Sequence, residues 1–346
     1  MTKNKINIGI NGFGRIGRAI TRINEINNDF NLVFINDKNS NIKNLAYLLK
    51  YDSTYGTFEG NVTANREKQS ISINNNNVKC FNCPCISEIP WNEIEIDYLI
   101  DSSGVSNCIT KSRELIKKNK FKKYFFTHCS DNADIEVVMG VNDGCVNSKH
   151  MVISNSICDS NAVSHPIKWI NDKFKIINGS LTTIHPWLSY QNILDGPSIS
   201  QSNPGVVWED YALGRASISN LIPKNTTAID AVERIIPEIK NKFISFSYRV
   251  PTPTVASSDL VINVDNKISQ SDVVSLLKEK SKGNKYVNLN YESLVSKDYE
   301  QNYFSAIIDM QWLKVIDNTI KIILWYDNEW GYSARVIDLI KEVHNR

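Results

Sequence analysis

Ile6-Asn7-Ile8-Gly9-Ile10-Asn11-Gly12-Phe13-Gly14-Arg15-Ile16-Gly17-Arg18 is the stretch on which the fold turns. Lys5 to Ile10 alternates into an apolar strand, and Ile16, Ile20 and Ile23 recur at helical spacing behind it. Gly12, Gly14 and Gly17 complete a Gly-x-Gly-x-x-Gly pattern between a strand and a helix, the context in which it binds a dinucleotide. The glycines allow a tight turn and let the backbone at Phe13, Arg15 and Ile16 approach a pyrophosphate at the helix N-terminus. A second apolar run, Asn31 to Asn36, ends in Asp37. A carboxylate there accepts hydrogen bonds from the adenosine ribose hydroxyls and repels a 2′-phosphate. The loop is therefore expected to hold NAD rather than NADP, a preference that Lys38 slightly weakens.

Working outward, Asp97 to Ser103, Tyr124 to Cys129 and Val137 to Val141 read as further apolar strands ending in small or polar residues. Helical stretches such as Lys111 to Lys118 lie between them, which fits βαβ units and a parallel sheet. Ser103 and Thr127 then stand at the carboxyl edge of that sheet, where a doubly wound fold binds its ligand. Val152 and Ile153 lead into Ser154-Asn155-Ser156-Ile157-Cys158-Asp159, a strand turning into a helix. Helix N-termini favour a thiolate, and Thr182-Thr183-Ile184-His185 ends another strand with a histidine that could take the thiol proton. On their own, Cys158 and His185 fit a buried thiol and an unrelated core histidine as well as a catalytic pair.

After Cys158 the strands lengthen: Ile176 to His185, Phe243 to Val250, Ser258 to Val264, Phe304 to Asp309 and Thr319 to Trp325. They are expected to pair without regular intervening helices, in a mostly antiparallel sheet. The expected class is α/β, a Rossmann NAD-binding domain over residues 1–157 with an α+β catalytic domain over 158–327. Residues 328–346 contain an amphipathic helix expected to pack back on the first domain. A long polar segment runs from Gly196 to Ile222 and includes Trp208 and Arg215; such loops are often functional.

The formal net charge of +2 over 346 residues gives no reason to expect nucleic acid or membrane partners. No apolar run reaches the ~18 residues of a membrane span, and Met1 leads straight into a strand without an apolar signal segment. Seven cysteines, an odd number in a long chain, suggest reduced thiols and a cytoplasmic location. Cys80, Cys83 and Cys85 have no fourth ligand nearby, so no metal is expected. Asn74 to Asn77 reads as a tolerant hairpin turn.

The whole chain resembles the glyceraldehyde-3-phosphate dehydrogenases. The resemblance is carried by Ile10 to Arg18, Tyr51-Asp52-Ser53-Thr54, Ser154-Asn155 with Cys158 and Asn161, Asp195-Gly196-Pro197-Ser198, Arg249-Val250-Pro251-Thr252-Pro253 and Trp325 to Tyr332. It implies a homotetramer, NAD as cofactor and a phosphorylated aldehyde as substrate. It also implies Cys158 as nucleophile, His185 as its base, Asn328 on the nicotinamide carboxamide, and Arg249 with Arg215 and Thr226 at phosphate. An aldehyde would become a hemithioacetal on Cys158, lose hydride to the nicotinamide, and leave as acyl phosphate or acid.

The departures from that family concern its two anion sites. Asp159 stands for a threonine that helps bind inorganic phosphate, and Leu188 and Tyr190 stand for two threonines that help hold the substrate phosphate. Thr226-Thr227 replaces a Thr-Gly pair, and the loop between Gly196 and Arg215 is longer than usual. A carboxylate ~6 Å from a phosphate, at an effective dielectric of ~20, costs about 2.8 kcal/mol per unit charge. Asp159 is therefore expected to weaken phosphate binding. A phosphorylating enzyme, a relative of erythrose-4-phosphate type that releases free acid, and an NAD-binding paralogue acting as an interaction protein remain the competing expectations.

Overall fold

The computed structural model describes residues 5–38 and 41–346. Met1 to Asn4, expected to run straight into the first strand, lie outside the described residues. The first half contains β1 (Ile6–Asn11), α1 (Arg15–Asn27), β2 (Phe30–Asn36), α2 (Ile42–Lys50), β3 (Tyr51–Asp52), β4 (Gly56–Thr57), β5 (Val62–Asn65), β6 (Ser70–Ile73) and β7 (Asn76–Phe81). It continues with β8 (Tyr98–Asp101), α3 (Asn107–Lys117), β9 (Lys123–Phe126), β10 (Ile135–Glu136) and β11 (Val152–Ser154). Nine of these strands form one sheet in the order β10-β11-β9-β8-β1-β2-β7-β6-β5. The run from β10 to β7 is parallel; β6 and β5 close it antiparallel. Strand order reverses at β1, which lies between β2 and β8, so the loop after β1 opens at the switch point of a doubly wound sheet. One apolar cluster packs α1, α2 and the C-terminal helix on one face, and a second, with Trp91, Ile109 and Phe121, covers the other.

The second half is built from α4 (Cys158–Phe174), β12 (Ile176–Pro186), β13 (Ile222–Lys224), α5 (Ala228–Ile235), β14 (Phe243–Val250), β15 (Ala256–Val264) and α6 (Gln270–Ser281). β16 (Val287–Asn290), β17 (Ala306–Ile316), β18 (Thr319–Tyr326) and α7 (Trp330–Asn345) follow. Its seven-stranded sheet has the order β13-β14-β12-β15-β18-β17-β16. Two neighbour pairs, β12 with β14 and β16 with β17, are parallel and the other four are antiparallel. A separate core, including Ala162, Ile167, Leu260 and Leu324, packs this sheet against helices.

Two expectations need correction. Val137 to Val141 is not a strand: β10 ends at Glu136 and the chain turns. The side chains of Asn142 and Asp143 accept from the N–H groups of Val138 (2.8 Å) and Gly140 (2.7 Å), offering the backbone an alternative to the sheet. Val137, Val138 and Met139 are buried all the same, so the apolar run reports burial rather than strand. The second half also has regular helices between its strands. In α6 a capping box between Ser269 and Asp272 starts a mostly polar helix whose Val273, Leu276 and Leu277 are buried, with Val274 packed against the same core.

α7 begins at Trp330, and its Trp330, Val336, Ile337 and Ile340 belong to the apolar cluster of the first sheet. Arg15 fastens this return. Its guanidinium donates to both oxygens of Glu329 (2.6–2.8 Å) and to Asp52 (2.8 Å).

Candidate active site

The glycine loop, the start of α4, the end of β12 and the start of α7 open onto one cleft of about 1340 Å³. Gly12 sits at φ +86°, and a Cβ there would lie 2.4 Å from the Ser103 backbone N. A Cβ on Gly17 would lie 2.3 Å from the Gly12 carbonyl oxygen, whereas one on Gly14 would meet nothing within 4 Å. Two glycines thus let the loop close on itself, and the third leaves its approach open. α1 starts behind Gly14 with no side-chain cap and no acidic residue in its first turn. Uncapped N–H groups and a positive helix end fit a pyrophosphate. Asp37 lines the cleft, and its Oδ2 accepts from the Phe13 N–H (2.8 Å), so the carboxylate is held at the edge of the loop. The Phe13 ring itself is in the core.

Arg15, Ile16, Ser103, Thr127 and Asn328 also line the cleft. Ser103 is positioned by Asp101, which accepts from its N–H (2.8 Å) and hydroxyl (2.6 Å). Asn328 is buried and accepts from the Thr254 hydroxyl (3.4 Å). Arg15 is engaged by Glu329 and Asp52, so its charge braces the loop.

Cys158 is the first residue of α4. Ser156, two residues earlier, has φ +56°. That left-handed conformation costs of order 1–3 kcal/mol in a non-glycine residue and is kept where the surroundings over-determine it. Here they do. Ser156 donates to the buried carboxylate of Glu136, which Arg234 also holds (2.7 Å), and the Tyr332 hydroxyl donates to the Ser156 carbonyl (3.0 Å). No short-range pattern in the sequence marks this elbow.

The Cys158 Sγ lies 3.6 Å from Nε2 of His185. Nδ1 of His185 is 2.8 Å from the Pro186 carbonyl, which can only accept, so Nδ1 carries the proton and Nε2 offers a lone pair to the thiol. Burial, then the Arg249 charge, pushes His185 down to about 4, so the imidazole is a neutral base at neutral pH. Burial and the neighbouring Asp159 push the Cys158 thiol up, against a smaller opposite pull from Arg249. Both effects oppose the thiolate expected from the helix end.

Asp159 is buried and lines the cleft. Its Oδ1 accepts from the Tyr326 hydroxyl (2.7 Å) and lies 3.5 Å from the Cys158 sulfur. The thiol, an Asp159 oxygen and a His185 nitrogen converge within 4.8 Å of one another. Arg249 reaches the cleft from β14 and Thr226 from the turn before α5; both line it. Arg215 does not. It is an exposed ion pair with Asp195 (2.9 Å), outside the cleft lining, because the loop folds back through that pair. Tyr326, inside the Trp325 to Tyr332 stretch but given no role there, and Lys224, which no motif marks, join the site.

A sequence profile of the NAD binding domain of glyceraldehyde 3-phosphate dehydrogenase matches residues 6–108, and one of its C-terminal domain matches residues 157–328. The chain is 35% identical over 340 residues to glyceraldehyde-3-phosphate dehydrogenase of Schistosoma mansoni, covering 97% of each. It is 35% identical over 339 residues to the cytosolic enzyme of Pinus sylvestris, covering 97% of this chain and 96% of that one. A chloroplastic glyceraldehyde-3-phosphate dehydrogenase of Arabidopsis thaliana is 35% identical over 342 residues, 98% of this chain and 78% of its own. The chain is an NAD-dependent oxidoreductase and belongs to the glyceraldehyde-3-phosphate dehydrogenase family.

Proposed function

We propose that the protein oxidises a phosphorylated aldehyde through a thioester on Cys158, as a divergent phosphorylating dehydrogenase of the glyceraldehyde-3-phosphate type. The observation that carries this is the 3.6 Å approach of the Cys158 thiol to a His185 Nε2 lone pair, inside the cleft that contains the glycine loop. His185 takes the thiol proton as sulfur adds to the carbonyl carbon. It then holds that proton against the oxygen that becomes negative, with the Cys158 N–H as second donor. NAD, when bound, supplies a hydride acceptor. Oxidation of the hemithioacetal leaves the thioester, which phosphate cleaves to an acyl phosphate, freeing the Cys158 sulfur. Arg249 and Thr226 are the residues we assign to phosphate, Asp37 to the ribose and Asn328 to the carboxamide.

Release of free acid by water is the second reading. Leu188 and Tyr190, which line the cleft with no charge or helix end of their own to offer a phosphate, favour it. Following NADH absorbance over a panel of phosphorylated aldehydes, with and without phosphate, tests both. Acyl phosphate appearing only with phosphate supports the first reading, and acid formed without it supports the second. No NADH with any aldehyde rejects both and leaves an NAD-binding interaction protein.

We further propose domain limits at 157/158 and 327/328, a cytoplasmic location, which fractionation would check, and a homotetramer. Support for association is the outer face of the second sheet. Ile184 and Tyr248, paired across β12 and β14, and Ile244 are 40%, 37% and 76% exposed. No helix is long and apolar enough to cross a membrane among the described residues.

A further inference from the structure

Lys224 stands in a row of basic side chains that begins beside Cys158. His185 of β12 pairs with Arg249 of β14, and Arg249 pairs with Ile222 of β13. Lys224 lies two residues beyond Ile222, opposite Ser247. Side chains alternate with a period of two, so His185, Arg249 and Lys224 all project from one face of the sheet, on strands ~4.8 Å apart. The row runs from the nucleophile outward along the cleft wall.

Nothing inside the protein answers this charge fully. Arg249 is only 8% exposed, yet its Nε and Nη1 have no hydrogen-bond partner among the described residues. The hydrogen bond of the Lys224 ammonium goes to the carbonyl of its neighbour Asn225 (3.0 Å). The ammonium lies 5.9 Å from the centre of the Trp208 ring, which the long loop brings in, and the Tyr190 ring packs against Trp208 at 5.0 Å. Burial and the Arg249 charge disfavour the ammonium, and Asp210 and Asp159 support it. The N-terminus of α5 follows directly, with Thr226 and Thr227 in the cleft lining. A buried guanidinium, a half-buried ammonium and a helix N-terminus on one cleft wall are best satisfied by an anion with several oxygens.

We propose that Lys224 is an anion-binding residue of this cleft, gripping a phosphoryl group together with Arg249 and the first turn of α5. Its charge offsets that of Asp159, so the site keeps phosphate affinity despite the carboxylate. This rests on the reading of the cleft as a thioester-forming dehydrogenase site. The phosphoryl group is that of the aldehyde or that of inorganic phosphate.

The test titrates inorganic phosphate into the full-length protein by calorimetry, for the unmodified chain, Lys224→Met, Lys224→Arg and Asp159→Thr/Lys224→Met. The Michaelis constant for the phosphorylated aldehyde is measured on the same proteins, with circular dichroism to confirm folding. Lys224→Met should weaken phosphate binding, or raise that Michaelis constant, at least about tenfold. The first result identifies inorganic phosphate as the ligand and the second the aldehyde's own group. Lys224→Arg should stay within about threefold, and adding Asp159→Thr should restore most of the loss. Unchanged values in Lys224→Met overturn the proposal, as does equal loss in the Met and Arg variants, which would mark a packing role. If the unmodified protein makes no NADH with any aldehyde, the dehydrogenase reading falls, and the phosphate titration alone decides the role of Lys224.

Discussion

Burial favours a thiol at Cys158 and a neutral imidazole at His185, and the two meet at 3.6 Å, so His185 is placed to take the thiol proton. Cys158→Ser should remove NADH formation while NAD still binds, because a hydroxyl is not ionised by so weak a base. The check is NADH absorbance beside a fluorescence titration with NAD; turnover above a few per cent of the unmodified enzyme would take Cys158 out of the nucleophile role. A second consequence concerns acid. His165, buried against Trp169 and Tyr286, is pushed down to about 3 by burial and then by Arg335, and His185 is pushed down to about 4. Both lie below the ordinary value of 6.5. Below pH 6.5 the unfolded chain therefore takes up protons that the folded chain refuses, and stability falls until the folded values are reached. Each histidine should cost about 2 kcal/mol by pH 5. Urea midpoints at pH 7 and pH 5 should show this loss, and His165→Leu should remove roughly half of it. An equal drop in the variant would refute that assignment.

At the level of elements, the loop between β1 and α1 is held by two carboxylates from elsewhere. Asp37 holds the Phe13 N–H, so Asp37→Ala should weaken NAD binding and also relax selectivity against NADP. Comparable use of both cofactors by the unmodified enzyme would show that Asp37 does not face the ribose. Glu329 holds Arg15 across the return of α7, and removing its charge leaves the largely buried Arg15 with Asp52 as its one carboxylate partner. Glu329→Gln should cost about 1–2 kcal/mol of stability, read as a lower urea midpoint. The loop was legible in the sequence because its signal is local: three glycines, a strand before and a helical period behind. The hairpin at Asn74 was legible too, since asparagine tolerates the φ of +51° that the turn between β6 and β7 requires. Lys224 was not, because it enters the site through the pairing of β13 with β14, and no local pattern records which strands become neighbours. The Val137 to Val141 run misled because burial in a turn and burial in a strand leave the same apolar trace.

At the scale of the whole molecule, the apolar outer face of the second sheet should be covered by another copy. Tyr248→Glu with Ile244→Glu is expected to shift the protein from tetramer to smaller species in sedimentation velocity. An unmodified protein that sediments as a monomer would remove that expectation. The two faces of β12 and β14 divide by parity. Thr183, His185, Ser247 and Arg249 are buried on the inner face, where His185 and Arg249 reach the site, whereas Ile184, Ile244 and Tyr248 look outward. Gaining or losing a single residue within either strand would exchange the two sets, turning Arg249 to solvent and Tyr248 toward the nucleophile. Within these strands a substitution keeps the two faces apart, whereas a change of one residue in length does not. A change of length is absorbed instead by the connections: the stretch from Trp187 to Leu221, between β12 and β13, brings Trp208 into the cleft lining without touching the parity of either strand.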